Sequence, residues 1–203
     1  EENPSATENL LAQLEKQGIN AKVDFILLTG LQGLIRETKG NITVAVRDNN
    51  EVVALYPQGK QQIIGAAIDI GSTTLALYIY DLQNGRLVYE SSAMNPQIRY
   101  GEDLMSRVSY VMMNKDGDKK LTQAVRTKIT DMLHEACKIL ELQWDKLLEI
   151  VLVGNPIMHH IFFGISPVEL GQAPFTVATR NWRDVDAKDL GFDLYAKTRM
   201  SFL

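Results

Sequence analysis

Cysteine is almost missing from this chain: Cys137 is the sole thiol in 203 residues. A single thiol excludes an internal disulfide and any iron–sulfur cluster ligated from within the chain. Histidine is scarce too, and His134, His159 and His160 lack the spacing of a familiar metal motif. The adjacent pair His159-His160 is expected to be structural, with its rings directed to different sides of a helix. No apolar run reaches the roughly 18 residues of a membrane span. Positive charge is not in excess, since 21 Lys+Arg against 25 Asp+Glu leave a formal charge of −4. That balance argues against nucleic acid or an anionic membrane surface as the partner. The opening residues EENPSATENL are acidic and polar, unlike a signal peptide. A cytoplasmic protein without a resident metal fits these absences.

What is present is an ordinary globular composition, 45% hydrophobic and 23% charged, long enough to bury a substantial core. Residues 1–60 read as a small helical and hairpin unit. Ser5 to Glu8 (SATE) forms a capping box, Leu10, Leu11 and Leu14 make a helical stripe, and Gly18 is a stop. A second helix is expected over 23–36. Apolar and polar residues alternate on both sides of Asp48-Asn49-Asn50 in Asn41–Pro57, the pattern of a hairpin. The polar connector PQGKQQ (Pro57–Gln62) marks a domain boundary, with the second unit spanning 61–203.

Three strands follow at 63–70, 73–81 and 86–92, the last two joined through Asn84-Gly85. Consecutive hairpins make them antiparallel. Gly101–Asn114 places Leu104, Val108, Val111 and Met112 on one helical face. A long helix over 119–142 buries Leu121, Val125, Met132, Ala136 and Leu140. A strand at 149–154 breaks into Asn155-Pro156, a cap followed by proline at the first helical position. SPVE (Ser166–Glu169) repeats a capping box. Three antiparallel strands, helices, then a strand and a helix make an α/β layer resembling the ribonuclease-H-like unit.

The segment with chemistry is Ile64–Asp81, IGAAIDIGSTTLALYIYD, where an acid, a glycine and three hydroxyl residues separate two apolar runs. Phosphate needs several converging donors, and its magnesium needs carboxylate oxygen or water. Gly71 lets backbone approach closely. Ser72, Thr73 and Thr74 offer amides and hydroxyls, with the amides doing most of the cradling, because alternation turns Thr73 and Thr74 in opposite directions. Asp69 can hold Mg²⁺ directly or through water. The plain alternative is a polar hairpin tip.

Other segments are weighed in the same way. NKDGDKK (Asn114–Lys120) mimics part of a calcium loop but lacks its final glutamate, and reads as a solvated turn. In GEDLMSR, Glu102 and Asp103 suit a helix start, with Asp103 and Arg107 as a surface pair at i, i+4. GNPIMHH could present amides to an anion, but proline removes one donor and favours a structural or substrate-facing turn. Trp144 and Trp182 are either partner anchors or ordinary packing.

The AIDIGSTTLALYIYDLQNG segment resembles the first phosphate loop of the actin, sugar-kinase and heat-shock-chaperone ATPase superfamily. NPQIRYGEDLMSRVSY (Asn95–Tyr110), LVGNPIMHHIFFGISPVELGQAPF (Leu152–Phe175) and GNITVAVRDNNEVVALYP look like the ATP-dependent reductive activators of corrinoid proteins. The resemblance runs through nearly the whole chain in order. It implies the ribonuclease-H-like half of an actin-like ATPase fold, preceded by a small α+β segment. It also implies ATP-driven return of a corrinoid from Co(II) to Co(I) on a corrinoid protein or corrinoid methyltransferase, with the electron coming from an iron–sulfur domain. By the same resemblance Asp69 acts on Mg²⁺ and Gly71, Ser72, Thr73 and Thr74 cradle ATP. Gly101, Asp103, Ser106 and Arg107, together with Gly154 and Asn155, lie at the cleft or at a partner contact, the choice staying open.

Two departures qualify this. An iron–sulfur cluster belongs to the full-length protein and not to this chain. Only one phosphate loop is present, and DLYAKTRMSFL falls about where a second half of the cleft should begin. The chain is therefore expected to be a fragment that does not hydrolyse ATP efficiently alone. A small-molecule kinase of the same superfamily, and a non-catalytic nucleotide-gated module that docks a partner, stay open, as does a homodimer.

Overall fold

In the computed structural model, which describes residues 3–59, 61–180 and 182–203, the chain divides into two units, Glu1–Gln62 and Ile63–Leu203. In the first, Ser5 and Glu8 exchange both capping-box bonds at the start of helix α1 (Ala6–Lys16). Gly18, at φ 78°, reverses the chain after the helix and lets Ile19 return its amide to Leu14. Helix α2 (Phe25–Thr38) starts later than the sequence predicts, because Asp24 is its cap and Val23 lies in strand β1 (Lys22–Val23). Strand β1 runs parallel to β3 (Glu51–Pro57), which pairs antiparallel with β2 (Ile42–Arg47). The β2–β3 turn has Asp48 and Asn49 at φ 49° and 55° and a bond from the Asn50 amide to the Arg47 carbonyl. That is the mirror-image turn which matches strand twist, and the two side chains tolerate it.

The second unit is a six-stranded sheet in the order β6-β5-β4-β7-β9-β8. Strands β4 (Ile64–Ile70), β5 (Thr74–Asp81) and β6 (Arg86–Met94) form the antiparallel meander. Strand β7 (Leu147–Gly154) joins β4 in parallel, and β9 (Arg199–Phe202) joins β7 in parallel. Strand β8 (Trp182–Asp186) pairs antiparallel with β9 at the edge. The tail DLYAKTRMSFL thus contributes β9, beside β7 in the same sheet.

Helices α3 (Leu104–Met113), α4 (Gly117–Ile139) and α5 (Pro156–Phe163) complete the unit. Its core joins Ile68, Leu77 and Ile150 of the sheet to Val125, Ile129 and Leu133 of α4 and Phe162 of α5. Helix α4 begins two residues before its expected start. Gly117 permits this, since a Cβ there would lie 3.0 Å from the Val111 Cα. It stops short of Leu142 because Glu141 turns left-handed and the Leu142 amide returns to the Cys137 carbonyl. Met112, expected on the buried face of α3, is 59% exposed. SPVE makes no capping box. It is a short 3₁₀ turn over Val168–Leu170, and the Ser166 hydroxyl accepts only from the Val168 amide.

Trp144 packs against the core beside His134, with ring centroids 4.6 Å apart. The Trp182 side chain and Lys60 lie outside the described residues. No helix of the described residues is long and apolar enough to cross a membrane.

Candidate functional site

The tip of the β4–β5 hairpin is closed by one bond, from the Gly71 amide to the Thr74 carbonyl at 3.0 Å. A Cβ on Gly71 would sit 2.7 Å from that carbonyl oxygen, so the turn closes only around glycine. The carbonyls that follow are all held from one set of residues. Asn95 donates through Nδ2 to Gly71 at 2.8 Å and through its backbone amide to Thr73 at 2.8 Å. The Arg107 Nη2 donates to the carbonyl between them, that of Ser72. In a trans peptide the N–H points opposite the C=O. Fixing these carbonyls therefore turns the amides of Ser72, Thr73 and Thr74 away from Asn95 and Arg107. Among the described residues, the Ser72 and Thr73 amides meet no protein acceptor.

The support behind the loop is a buried polar network. Arg107 is 0% exposed. Its Nε donates to the Gly101 carbonyl at 3.0 Å, and its Nη1 to the Gln97 Oε1 at 3.2 Å and the Met158 sulfur at 3.3 Å. Gln97 is itself fixed, its Nε2 donating to the Leu121 carbonyl of α4 and its amide to the Asn95 Oδ1. All of these partners are neutral. Burial pushes the guanidinium pKa down, opposed by the Asp103 charge, yet arginine stays charged in proteins. The surface pair expected between Asp103 and Arg107 does not form. Arg107 turns inward, while Asp103 caps α3 by accepting from the Ser106 amide at 2.7 Å.

Local sequence explains this placement. Asn95 caps a 3₁₀ turn over Pro96–Tyr100, with proline at its first position. Gly101 then lies flat against the first turn of α3, where a Cβ would stand 2.7 Å from the Arg107 amide nitrogen. That close approach brings the Gly101 carbonyl to the Arg107 Nε. Ser106 is exposed, and both its amide and its hydroxyl donate to the Asp103 carboxylate.

Asp69 pairs in register with Ala76 on β5 and with Val153 on β7. Its side chain is on the face opposite the buried Ile68 and Ile70, exposed and without a bonded partner among the described residues. Thr74, two residues before Ala76, shares that open face, so its hydroxyl and not that of Thr73 is on the Asp69 side. Gly154 stands beside Ile70 at the foot of the loop, where a Cβ would be 3.0 Å from the Ile70 carbonyl and 3.1 Å from the Phe202 ring. Asn155 caps α5 through the Met158 amide at 3.0 Å. With Pro156 lacking an N–H, the start of α5 keeps few amides for an anion.

His159 and His160 are both buried, with ring centroids 5.3 Å apart, closer than the sequence predicts. Helix α5 is buried almost all round, so neighbouring positions both turn inward. The His160 Nδ1 donates to the Pro156 carbonyl and its Nε2 accepts from the Ala178 amide, which fixes a neutral tautomer. A groove of about 410 Å³ along α4, lined by Lys119, Thr122, Arg126 and Gly191, shares no residue with the loop. Two of its Arg126 donors are held by the Phe162 and Leu190 carbonyls.

The residues present suit a magnesium–phosphate group. The loop exposes amides around a glycine with no room for a side chain, and one unpaired carboxylate stands on the adjoining strand. No group of three or more His, Cys, Asp or Glu side chains placed to hold a metal ion occurs among the described residues. Asp69 would therefore hold Mg²⁺ as a single carboxylate, directly or through water. Asn95 and Gln97 are absent from the residues that the sequence singles out. The one signal for them was their place inside the segment Asn95–Tyr110.

Comparison with known families matches residues 1–62 to the RACo linker region and residues 64–203 to the RACo middle region. Among curated proteins the chain is similar to the corrinoid activation enzyme RamQ of Eubacterium limosum. Identity is 27% over 156 residues, covering 76% of this chain and 26% of that protein. Among solved structures it is similar to a reductive activator for corrinoid, iron–sulfur protein. The TM-score is 0.86 at 27% identity, over 98% of this chain and 33% of that one. The chain spans about a quarter to a third of the length of these relatives.

Proposed function

Because the chain belongs to the RACo family, we propose that it is the linker and the phosphate-gripping part of an activator that returns a Co(II) corrinoid to Co(I). The single observation that carries the nucleotide part is the β4–β5 loop, whose Ser72 and Thr73 amides have no protein acceptor among the described residues while Asp69 stands unpaired on β4, the strand leading into it. The corrinoid part is supported by the similarity to RamQ and to the activator of a corrinoid iron–sulfur protein. Bound MgATP would supply free energy from binding and hydrolysis for an uphill electron transfer. This chain's own task is narrower. Gly71 to Thr74 hold the phosphates, Asp69 orients the hydrated magnesium, and the strands beneath keep both in register. The electron comes from an iron–sulfur domain outside this chain, since Cys137 is the one thiol here and is buried. The corrinoid is the substrate, presented by a corrinoid protein or methyltransferase.

The test uses the full-length protein, a Co(II) corrinoid partner and a reductant, with Co(I) absorbance as the readout. Co(I) is expected to accumulate with ATP and not without it; equal yields in both would end the proposal. Asp69→Ala is expected to weaken Mg-nucleotide binding at least tenfold in the same protein by calorimetry. Unchanged binding would remove Asp69 from the site.

A further inference from the structure

We infer that Arg107 is the positioning residue of the phosphate loop, orienting its amides and adding a buried positive charge behind them. The inference rests on the nucleotide reading above and says how the loop is kept ready for an anion. The Ser72 and Thr73 side chains are outside any strand, so nothing in the ladder fixes the peptide between them. What fixes it is the Arg107 Nη2 on the Ser72 carbonyl. The same guanidinium is locked by Gly101, Gln97 and Met158, so it cannot follow the loop if the loop turns. Asn95 holds the peptides on either side. The Ser72–Thr73 peptide is thus gripped at its oxygen and open at its nitrogen.

Charge makes this grip directional. A buried guanidinium ordinarily sits against a carboxylate, because an uncompensated buried charge is costly. Arg107 has four neutral acceptors and no carboxylate bonded to it. Nearby, only the charge of Asp103, which does not bond the guanidinium, offsets its field, and it does so less than burial opposes the charge. The guanidinium polarises the Ser72 carbonyl and, through the peptide, strengthens the Thr73 N–H as a donor. Such a charge is unfavourable in an empty loop and becomes favourable once an anion sits on the far side of the peptide. Arg107 accordingly tunes the loop for phosphate and leaves binding of an uncharged ligand part, such as adenosine, untouched.

Two measurements test this on wild type, Arg107→Lys and Arg107→Met, each first checked for a cooperative melt. Nitrogen-15 relaxation on the nucleotide-free 203-residue chain reads the loop directly. Wild-type Ser72 and Thr73 amides are expected near the rigid order parameter of about 0.85. Arg107→Met should bring them below about 0.6, the flexible range, with the strands unchanged and Arg107→Lys between. Titration of the full-length protein with MgADP should show at least tenfold weaker binding for Arg107→Met and a partial recovery for Arg107→Lys. Adenosine affinity should not move.

Rigid loop amides in Arg107→Met, or MgADP affinity within twofold of wild type, would overturn the inference. Wild-type protein that fails to bind MgADP would instead overturn the nucleotide reading, and the order parameters would still decide the clamp. Should Arg107→Met fail to fold, Arg107→Lys and Asn95→Ala carry the same comparison.

Discussion

Asp103 accepts the Ser106 amide at 2.7 Å, and that bond, joined by one from the Ser106 hydroxyl, holds its carboxylate below the ordinary range, with the Arg107 charge a minor contributor. A carboxyl whose pKa is lower folded than unfolded stabilises the fold above its unfolded value, near about 4. The stabilisation disappears as pH falls through the folded value. Asparagine caps a helix almost as well as aspartate but does not titrate. Asp103→Asn is therefore expected to keep the melting temperature at pH 7 and to flatten its fall below pH 4. Asp103→Ala should lower it at neutral pH already. Thermal melts across pH 2.5–7 separate the three proteins. Glu8, lowered by its own bond to the Ser5 amide, contributes in the same window and is untouched by either change. The Ser5–Glu8 cap was legible in the sequence because it is a contact over three residues, whereas around Asp103 only a helix start was legible, not which acid caps it. Arg107 was not legible: the i, i+4 rule assigned it to Asp103, whereas its partners include Ser72, 35 residues away.

Helix α4 shows what an element reveals of itself. Its stripe of Leu121, Val125, Met132 and Ala136 is buried, as the spacing predicts, and Leu140 packs half-buried at its end. Its ends were less readable. Gly117 is needed for a close approach to α3, a contact with no local signature. Glu141 takes the left-handed position where glycine is the usual signal. Cys137 lies on the core face of α4, and burial pushes its thiol up to about 11. The thiolate is the reactive form, so native protein at pH 7.5 should resist a thiol reagent for as long as α4 stays packed. In denaturant the thiol should react stoichiometrically at once. Rapid stoichiometric labelling of the native protein would place Cys137 outside the core. Strands β8 and β9 escaped the sequence because RMSF is four residues long, too short to show a period.

At the scale of the molecule, the sheet depends on α5 meeting β9. The His159 ring lies 4.8 Å from the Phe202 ring and 5.0 Å from that of Phe163, and its Nε2 has no partner among the described residues. Burial, aided by His160, lowers its pKa. As pH falls below the ordinary histidine value of about 6.5, the unfolded chain takes up a proton that the folded one refuses. Stability should therefore decline from pH 7 toward pH 5. His159→Leu is expected to remove most of that slope without loss of stability at pH 7. Urea titrations at pH 7 and pH 5 measure it, and an undiminished slope would assign the dependence to other groups. The meander β4-β5-β6 was readable from hairpin spacing. The parallel joining of β7 and β9 was not, since parallel strands meet through long crossovers that leave no local pattern.

By itself the sequence determined what chemistry the β4–β5 loop can offer: Asp69, Gly71 and hydroxyl residues between two apolar runs, with a single thiol in the chain, too few to ligate a cluster. It also determined the family, because segments such as Asn95–Tyr110 keep their order along the chain. Only the tertiary structure decided that Asn95, Gln97 and Arg107 stand behind that loop. Their bonds to Gly71, Leu121 and Ser72 span 24, 24 and 35 residues. Periodicity and capping report contacts within a few residues, where chain geometry alone sets the distance. Which carbonyl a buried guanidinium meets is set by how helix, turn and sheet pack together, and so it appears only once they are folded.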